Sequence, residues 1–236
     1  MSNTANLMLP LLAQSQAQKH VAVNESLAIL DAVTQLTVES ITRRDPPTAP
    51  VEGEAYALPP GPSGAWSFKK GKLAVFVNGG WAFIDPRAGW RAFVRDEARH
   101  YLHDGTGWLA DAVTATPSGA ATGLEVIEFE QAIGTGTAVN TATRIPAYTT
   151  VLGVTARVVT ALGGSLSSWQ LGVAESRGRY GSLLRKGSNS FAYGLTGMPI
   201  TYYQDTPLRI SAVGGTFNGG RIRIAIHLRH LAVARS

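Results

Sequence analysis

The sequence predicts a mainly β protein: a short N-terminal helix, a small aromatic β-meander, then a C-terminal jelly-roll-like β-sandwich. Three observations carry this. Glycine is abundant, 26 of 236 residues, and recurs with Asn-Gly and Asp-Gly pairs between short apolar runs, the punctuation of hairpins. Four of the five tryptophans fall between Gly53 and Trp108, each just after a glycine, a small residue or a turn. From Leu124 onward the apolar pattern has period two, the period of strands.

In chain order, Met1–Gln18 is polar and Gln/Ala-rich after Leu7-Met8-Leu9-Pro10-Leu11-Leu12. It has little to bury alone and is expected to dock on something else. Asn24 reads as an N-cap, with Glu25 at the favourable end of the helix dipole. Ile29, Ala32, Val33 and Leu36 recur at i, i+3, i+4 and i+7, which predicts an amphipathic helix over 25–36. Leu27 and Leu30 widen its stripe, which fits packing against other subunits or against the following meander. Thr37–Thr42 reads as a short strand, and the run Arg43–Pro50 as an extended, proline-rich connector.

The meander occupies 53–108. Its turns are Gly64-Ala65-Trp66, Asn78-Gly79-Gly80-Trp81, Gly89-Trp90 and Asp104-Gly105-Thr106-Gly107-Trp108, and its strands Glu54–Leu58, Lys72–Val77, Trp81–Ile84, Trp90–Arg95 and Arg99–Leu102. Large aromatics fill a small core economically; the alternative is an aromatic platform for sugar rings or bases. Asp111–Gly123, small and polar, reads as a linker. The chain is thus expected as a module over 1–110, a linker over 111–123 and a β-sandwich over 124–236. In the last, strands are expected around Ile127–Ile133 and at Tyr148–Thr160, Ser168–Ala174, Ser190–Tyr193, Ile200–Tyr203, Pro207–Val213 and Arg221–Leu228. Arg177–Asn189 interrupts the pattern and reads as a loop.

The net charge of +5 is uneven. Residues 1–123 hold 10 Lys/Arg against 11 Asp/Glu, and residues 124–236 hold 11 against 5. The C-terminal half therefore carries the whole excess, almost all as arginine, which fits an acidic partner as well as plain solubility. No cysteine is present, which excludes disulfides and thiolate metal sites. No apolar run is long enough to span a membrane, and Met1–Leu12 lacks the basic region of a signal peptide. Assembly in a cytoplasm, without membrane insertion, is expected.

No catalytic motif stands out, and neither an enzymatic role nor a cofactor is expected. His100 and His103, like His227 and His230, are three apart, so on a strand they point to opposite faces and cannot share an ion. Glu128 and Glu130 share a strand face; paired carboxylates serve glycosidases, but alternating glutamates more often solvate an outer face. Gly134-Thr-Gly136-Thr lacks the residues of a phosphate loop. The one constellation that points to binding is Trp169, Tyr180, Tyr193, Tyr202 and Tyr203 beside Arg177, Arg179, Arg185 and Lys186. Aromatic faces stack on sugars and arginine grips carboxylates. The same set would suit single-stranded nucleic acid, and Trp169 and most of the tyrosines would equally serve as core.

The stretch Leu9-Pro10-Leu11-Leu12-Ala13-Gln14-Ser15-Gln16-Ala17-Gln18-Lys19-His20-Val21, followed by Asn24-Glu25-Ser26-Leu27 and Leu30-Asp31-Ala32, resembles the LPLLAxAQAQKHVTxNEAL opening of a phage-derived family of unknown function. That family occurs in alphaproteobacterial prophages and gene transfer agents and is tied to tail fibres or head spikes. The likeness continues through Pro50–Tyr56, Asn78-Gly79-Gly80-Trp81 and Pro86–Trp90 and ends near Trp108, covering about residues 7–109. Ser15 and Ala22-Val23 depart from the pattern. The resemblance implies a virion component, commonly a homo-oligomer such as a trimer, attached to other particle proteins by its N-terminal part. Its C-terminal part would contact the cell surface, here an acidic host polysaccharide. A capsule- or cell-wall-degrading enzyme and a nucleic-acid-binding domain are the alternatives.

Overall fold

A computed structural model describes residues 3–12 and 19–236, with residues 19–22 described by backbone alone. The chain forms two compact units, Met1–Ala121 together with Val233–Ser236, and Thr122–Ala232. In chain order the second unit is an insertion into the first.

The single α-helix among the described residues, α1 (Lys19–Val33), starts earlier and stops earlier than the expected 25–36. Asn24 lies inside it and caps nothing. Its Oδ1 accepts the Leu12 N–H at 2.9 Å while its Nδ2 donates to the Leu12 carbonyl at 3.2 Å. Two turns further on, the buried Asp31 carboxylate accepts from the Thr4 hydroxyl at 2.7 Å, from the Asn6 N–H at 2.8 Å and from the Leu7 N–H. These two side chains hold an N-terminal arm of residues 3–12; residues 13–18, the rest of the expected docking segment, lie outside the described residues. The apolar stripe therefore divides. Ala32 and Leu36 enter the core, whereas Val23, Ile29 and Leu30 remain 42%, 42% and 52% exposed. The helix turns its polar side inward because the arm's backbone groups need partners there.

The expected single meander is two small sheets. Strands β1 (Thr37–Val38), β2 (Ala55–Ala57), β3 (Leu73–Val77), β4 (Gly80–Ile84), β5 (Arg91–Val94), β6 (Arg99–His103) and β7 (Trp108–Ala110) are arranged as β2-β3-β4 and β1-β5-β6-β7. β1 is shorter than expected and runs parallel to β5, a pairing that no local pattern encodes. The β3–β4 hairpin turns on Asn78 and Gly79, both left-handed at φ 52° and 73°, as the Asn-Gly signal required. Trp66 lies in a 3-10 turn (Gly64–Trp66), fully buried, with the Tyr56 and Trp81 rings each centred 5.1 Å away. Trp90 and Trp108 pack partly buried on the neighbouring cluster. The tryptophans fill cores here and do not form a platform.

Segment 111–123, read as a linker from its composition, holds β8 (Ala112–Ala115) and the start of β9 (Ala121–Ala132). Alanine, valine and threonine are compatible with strands once a partner supplies hydrogen bonds. Here the Arg91 guanidinium donates to the carbonyls of Ala112 and Val113 at 3.2 and 2.8 Å. The tail closes the first unit. Arg235 pairs with Asp104, whose buried carboxylate also accepts the Thr106 and Gly107 N–H groups at 2.9 Å.

The second unit contains β9, β10 (Thr135–Gly136), β11 (Ala138–Ile145), β12 (Thr149–Thr160), β13 (Ser168–Val173), β14 (Ser176–Leu184), β15 (Phe191–Tyr202), β16 (Thr206–Val213), β17 (Phe217–Asn218) and β18 (Arg221–Ala232). One sheet contains the order β15-β12-β18-β9 and the other is β11-β16-β13-β14. Leaving out the two-residue strands β10 and β17, the first strand pairs with the eighth, the second with the seventh, the third with the sixth and the fourth with the fifth. That nesting is the rolled-up topology of a jelly roll. The core between the sheets is built on Val151, Val154, Trp169, Leu171, Tyr180, Leu208, Ile210, Ile222, Ile224 and Ile226. Strand β11, polar and poor in bulky residues, was not legible as a strand. The two expected strands at 190–193 and 200–203 are one, β15, which bulges between Leu195 and Ile200.

Candidate functional site

The structure separates the nine residues that the sequence grouped. Trp169 is fully buried and its indole N–H donates to the Arg185 carbonyl at 2.9 Å. Tyr180 and Tyr202 are buried with their hydroxyls 2.7 Å apart, and burial pushes the Tyr180 phenol well above its usual value. None of these three rings offers a face to a ligand. The expected Arg177–Asn189 loop is mostly β14, held by β13 through Gly181 opposite Leu171 and Leu184 opposite Trp169. Its cations do not form one cluster. The Arg179 guanidinium donates to the Tyr202 hydroxyl at 3.2 Å and Lys186 donates to the Leu166 carbonyl at 2.9 Å, whereas Arg177 and Arg185 are exposed. Tyr203 stacks edge-on against Tyr148, both exposed, with ring centres 6.4 Å apart.

Tyr193 is the member that leads to a site. On β15 the sequence Phe191-Ala192-Tyr193-Gly194-Leu195 places its smallest residues inward and its largest outward. Phe191, Tyr193 and Leu195 are 64%, 71% and 69% exposed. The reason is steric: a Cβ on Gly194 would lie 2.2 Å from the Tyr180 carbonyl oxygen, so β14 passes too close for any inward side chain. The large residues have only the outer face of the sheet.

On that face a groove of about 370 Å³ is lined by Glu128, Thr155, Arg157, Phe191, Tyr193, Arg223 and Ala225, with Ala156 and Ala192 beneath. Its size suits a small-ligand site. Register builds it in two rows: Tyr193 opposite Thr155 opposite Ala225, and Phe191 opposite Arg157 opposite Arg223. The first row is a ring beside a low floor, where Thr155 Oγ1 lies 3.1 Å from His227 Nε2. The second carries two guanidinium groups. Arg223 binds Glu130 at 2.6 Å, and Glu130 is shared with Arg221 at 3.3 Å. Arg157 meets the Asn189 carbonyl at 3.3 Å and the Phe191 ring at 5.9 Å; among the described residues it has no carboxylate partner.

The arginines beside Glu130 hold its carboxyl below the usual range, the opposite of what a general acid requires. The arrangement can stack a ring and pair with an anion. Sequence reasoning missed Thr155, Arg157, Phe191 and Arg223. The available signal was the inverted alternation of residues 191–195, large with small, in a strand otherwise expected to bury its large side.

The fold defines this protein as a two-unit β protein with a jelly-roll C-terminal unit. Over residues 23–109 the sequence matches a family described as protein of unknown function (DUF2793). No curated protein matches the chain. A solved structure described as "Cyanophage Pam1 capsid asymmetric unit" is similar at 24% identity over 47% of this chain and 84% of that one, with a TM-score of 0.33. No described helix is long and apolar enough to cross a membrane.

Proposed function

We propose that this chain is a non-enzymatic structural component of a phage or gene-transfer-agent particle, a tail fibre or head spike. The N-terminal module attaches it to other particle proteins, and the jelly roll binds an acidic polysaccharide of the host surface. The resemblance of the opening motif supports the particle assignment, and the match to a family of unknown function over 23–109 covers the same module. The observation that carries the binding role is the groove lined by Tyr193, Phe191 and Arg157, because exposed rings beside a cation that has no carboxylate partner among the described residues have no use in the unit's own core. Purified protein should adsorb to encapsulated host cells and far less to the same cells stripped of capsule. Adsorption should fall as salt rises, since exposed charges are screened over about 8 Å at physiological ionic strength. Equal adsorption to both cell types would overturn the reading.

The proposal includes self-association, a trimer being the expected state because closed symmetry repeats one contact without open ends. Val23, Leu27 and Leu30 follow the 4-3 spacing of a helix–helix seam, and Val23 and Leu30 are exposed on α1. Light scattering should give a trimer. Leu30→Asp should shift it toward monomer with the β-rich circular dichroism spectrum retained, since a surface substitution within a protomer costs only about ±0.5 kcal/mol. A stable wild-type monomer at micromolar concentration would count against this arrangement.

A further inference from the structure

We infer that the groove on the outer face of β15-β12-β18-β9 takes one acidic pyranose unit, with the ring against Tyr193 over Thr155 and Ala225 and its anionic group on Arg157. The inference rests on the reading that the jelly roll binds a host glycan, and it names the site and the sugar class.

The two rows of the groove lie two residues apart along the strands, about 6.6 Å. One row is apolar and stepped: the Tyr193 ring rises from β15 beside Thr155 and Ala225, whose small side chains leave the floor open. A sugar presents an apolar C–H face and a hydroxyl rim, which such a step accommodates. The other row sets Arg157 directly opposite Arg223, a like-charge pair that is unfavourable when uncompensated. Glu130 offsets this on the Arg223 side, and the Glu128 carboxylate stands 4.0 Å from the Arg223 Nε. Neither glutamate pairs with Arg157, which leaves one guanidinium fork for a ligand carboxylate or sulfate. A hydrophobic row and, among the described residues of the groove, one guanidinium without a carboxylate partner match a ring with one charged substituent. Single-stranded nucleic acid requires a track of cations along repeated phosphates, and here Arg221 and Arg223 are already bound to Glu130.

The test is affinity electrophoresis of the full chain through gels containing polygalacturonate, its methyl ester, dextran sulfate, dextran or oligo(dT). Retardation is expected with polygalacturonate and not with its methyl ester or dextran. Arg157→Gln and Tyr193→Ala should each weaken it at least tenfold with unchanged melting curves. Retardation by dextran sulfate with the same dependence on both residues would support the site and assign a sulfated sugar. Retardation by neither acidic polymer, equal retardation of the variants, or stronger retardation by oligo(dT) would overturn the inference. Cell adsorption separates its failure from that of the broader reading. Capsule-dependent adsorption that survives Arg157→Gln moves the site elsewhere, whereas loss of capsule dependence in the wild type removes the glycan-binding role.

Discussion

Replacing Asp31 with alanine is expected to release the N-terminal arm. The carboxylate is buried and accepts from Thr4, Asn6 and Leu7. Hydrogen bonds to a charged acceptor contribute about 1.5–3 kcal/mol each. Three on one side chain are not additive, so a loss of about 2–4 kcal/mol follows. Hydrogen exchange should show the Asn6 and Leu7 amides losing protection, with the first unit melting earlier. Asp31→Asn keeps one acceptor oxygen and should cost less. The same clasp is acid-sensitive. Burial alone would raise the Asp31 carboxyl, but the Thr4 hydroxyl and the Asn6 and Leu7 N–H groups outweigh it and hold the carboxyl below its ordinary 3.8. A depressed folded value means that the contribution is complete above 3.8 and disappears as pH falls through the folded value. Unchanged protection of Asn6 and Leu7 in Asp31→Ala would show that the arm is held by other contacts.

Trp169→Ala should unfold the jelly roll and not merely impair binding. The indole is fully buried between the two sheets, and large-to-small changes of this kind cost about 3–5 kcal/mol. Trp169→Phe keeps most of the apolar volume and gives up the hydrogen bond to the Arg185 carbonyl, worth about 1 kcal/mol, so it should fold. Tyr193→Ala, on the exposed face, should do the reverse, preserving the melt and removing binding. A Trp169→Ala variant that melted normally and failed only to adsorb to cells would place this residue at the ligand instead.

Much of the secondary structure was legible because its causes are local. Asn78-Gly79 supplies the two left-handed residues that a tight hairpin needs. Arg221–Leu228 alternates cleanly, and β18 puts its isoleucines inward as that alternation demands. The arginine-bearing stretch at 177–185 was misread because its glycines look like a loop. Gly178 and Gly181 nonetheless lie within β14, with Gly181 opposite Leu171 of β13. Asn24 was misread for a related reason. A helix-capping side chain and one that binds a distant backbone look alike when the partner, Leu12, is not in view.

The sequence by itself determined the mainly β class, the hairpin turns, and the strands whose alternation is strong, since period and turn chemistry act between near neighbours. Only the tertiary structure decided the inner face of strands such as β15, whose alternation misleads. Phe191 stands exposed beside Tyr193 because β14 occupies the space behind Gly194. Trp169 and Tyr180 look like a binding platform until the second sheet covers them. The tertiary structure also decided the candidate site, because pairing Arg157 with Phe191 on one side and Arg223 on the other joins three strands far apart in the chain. A guanidinium with no carboxylate partner among the described residues is a property of that three-strand assembly, and no single stretch of sequence carries it.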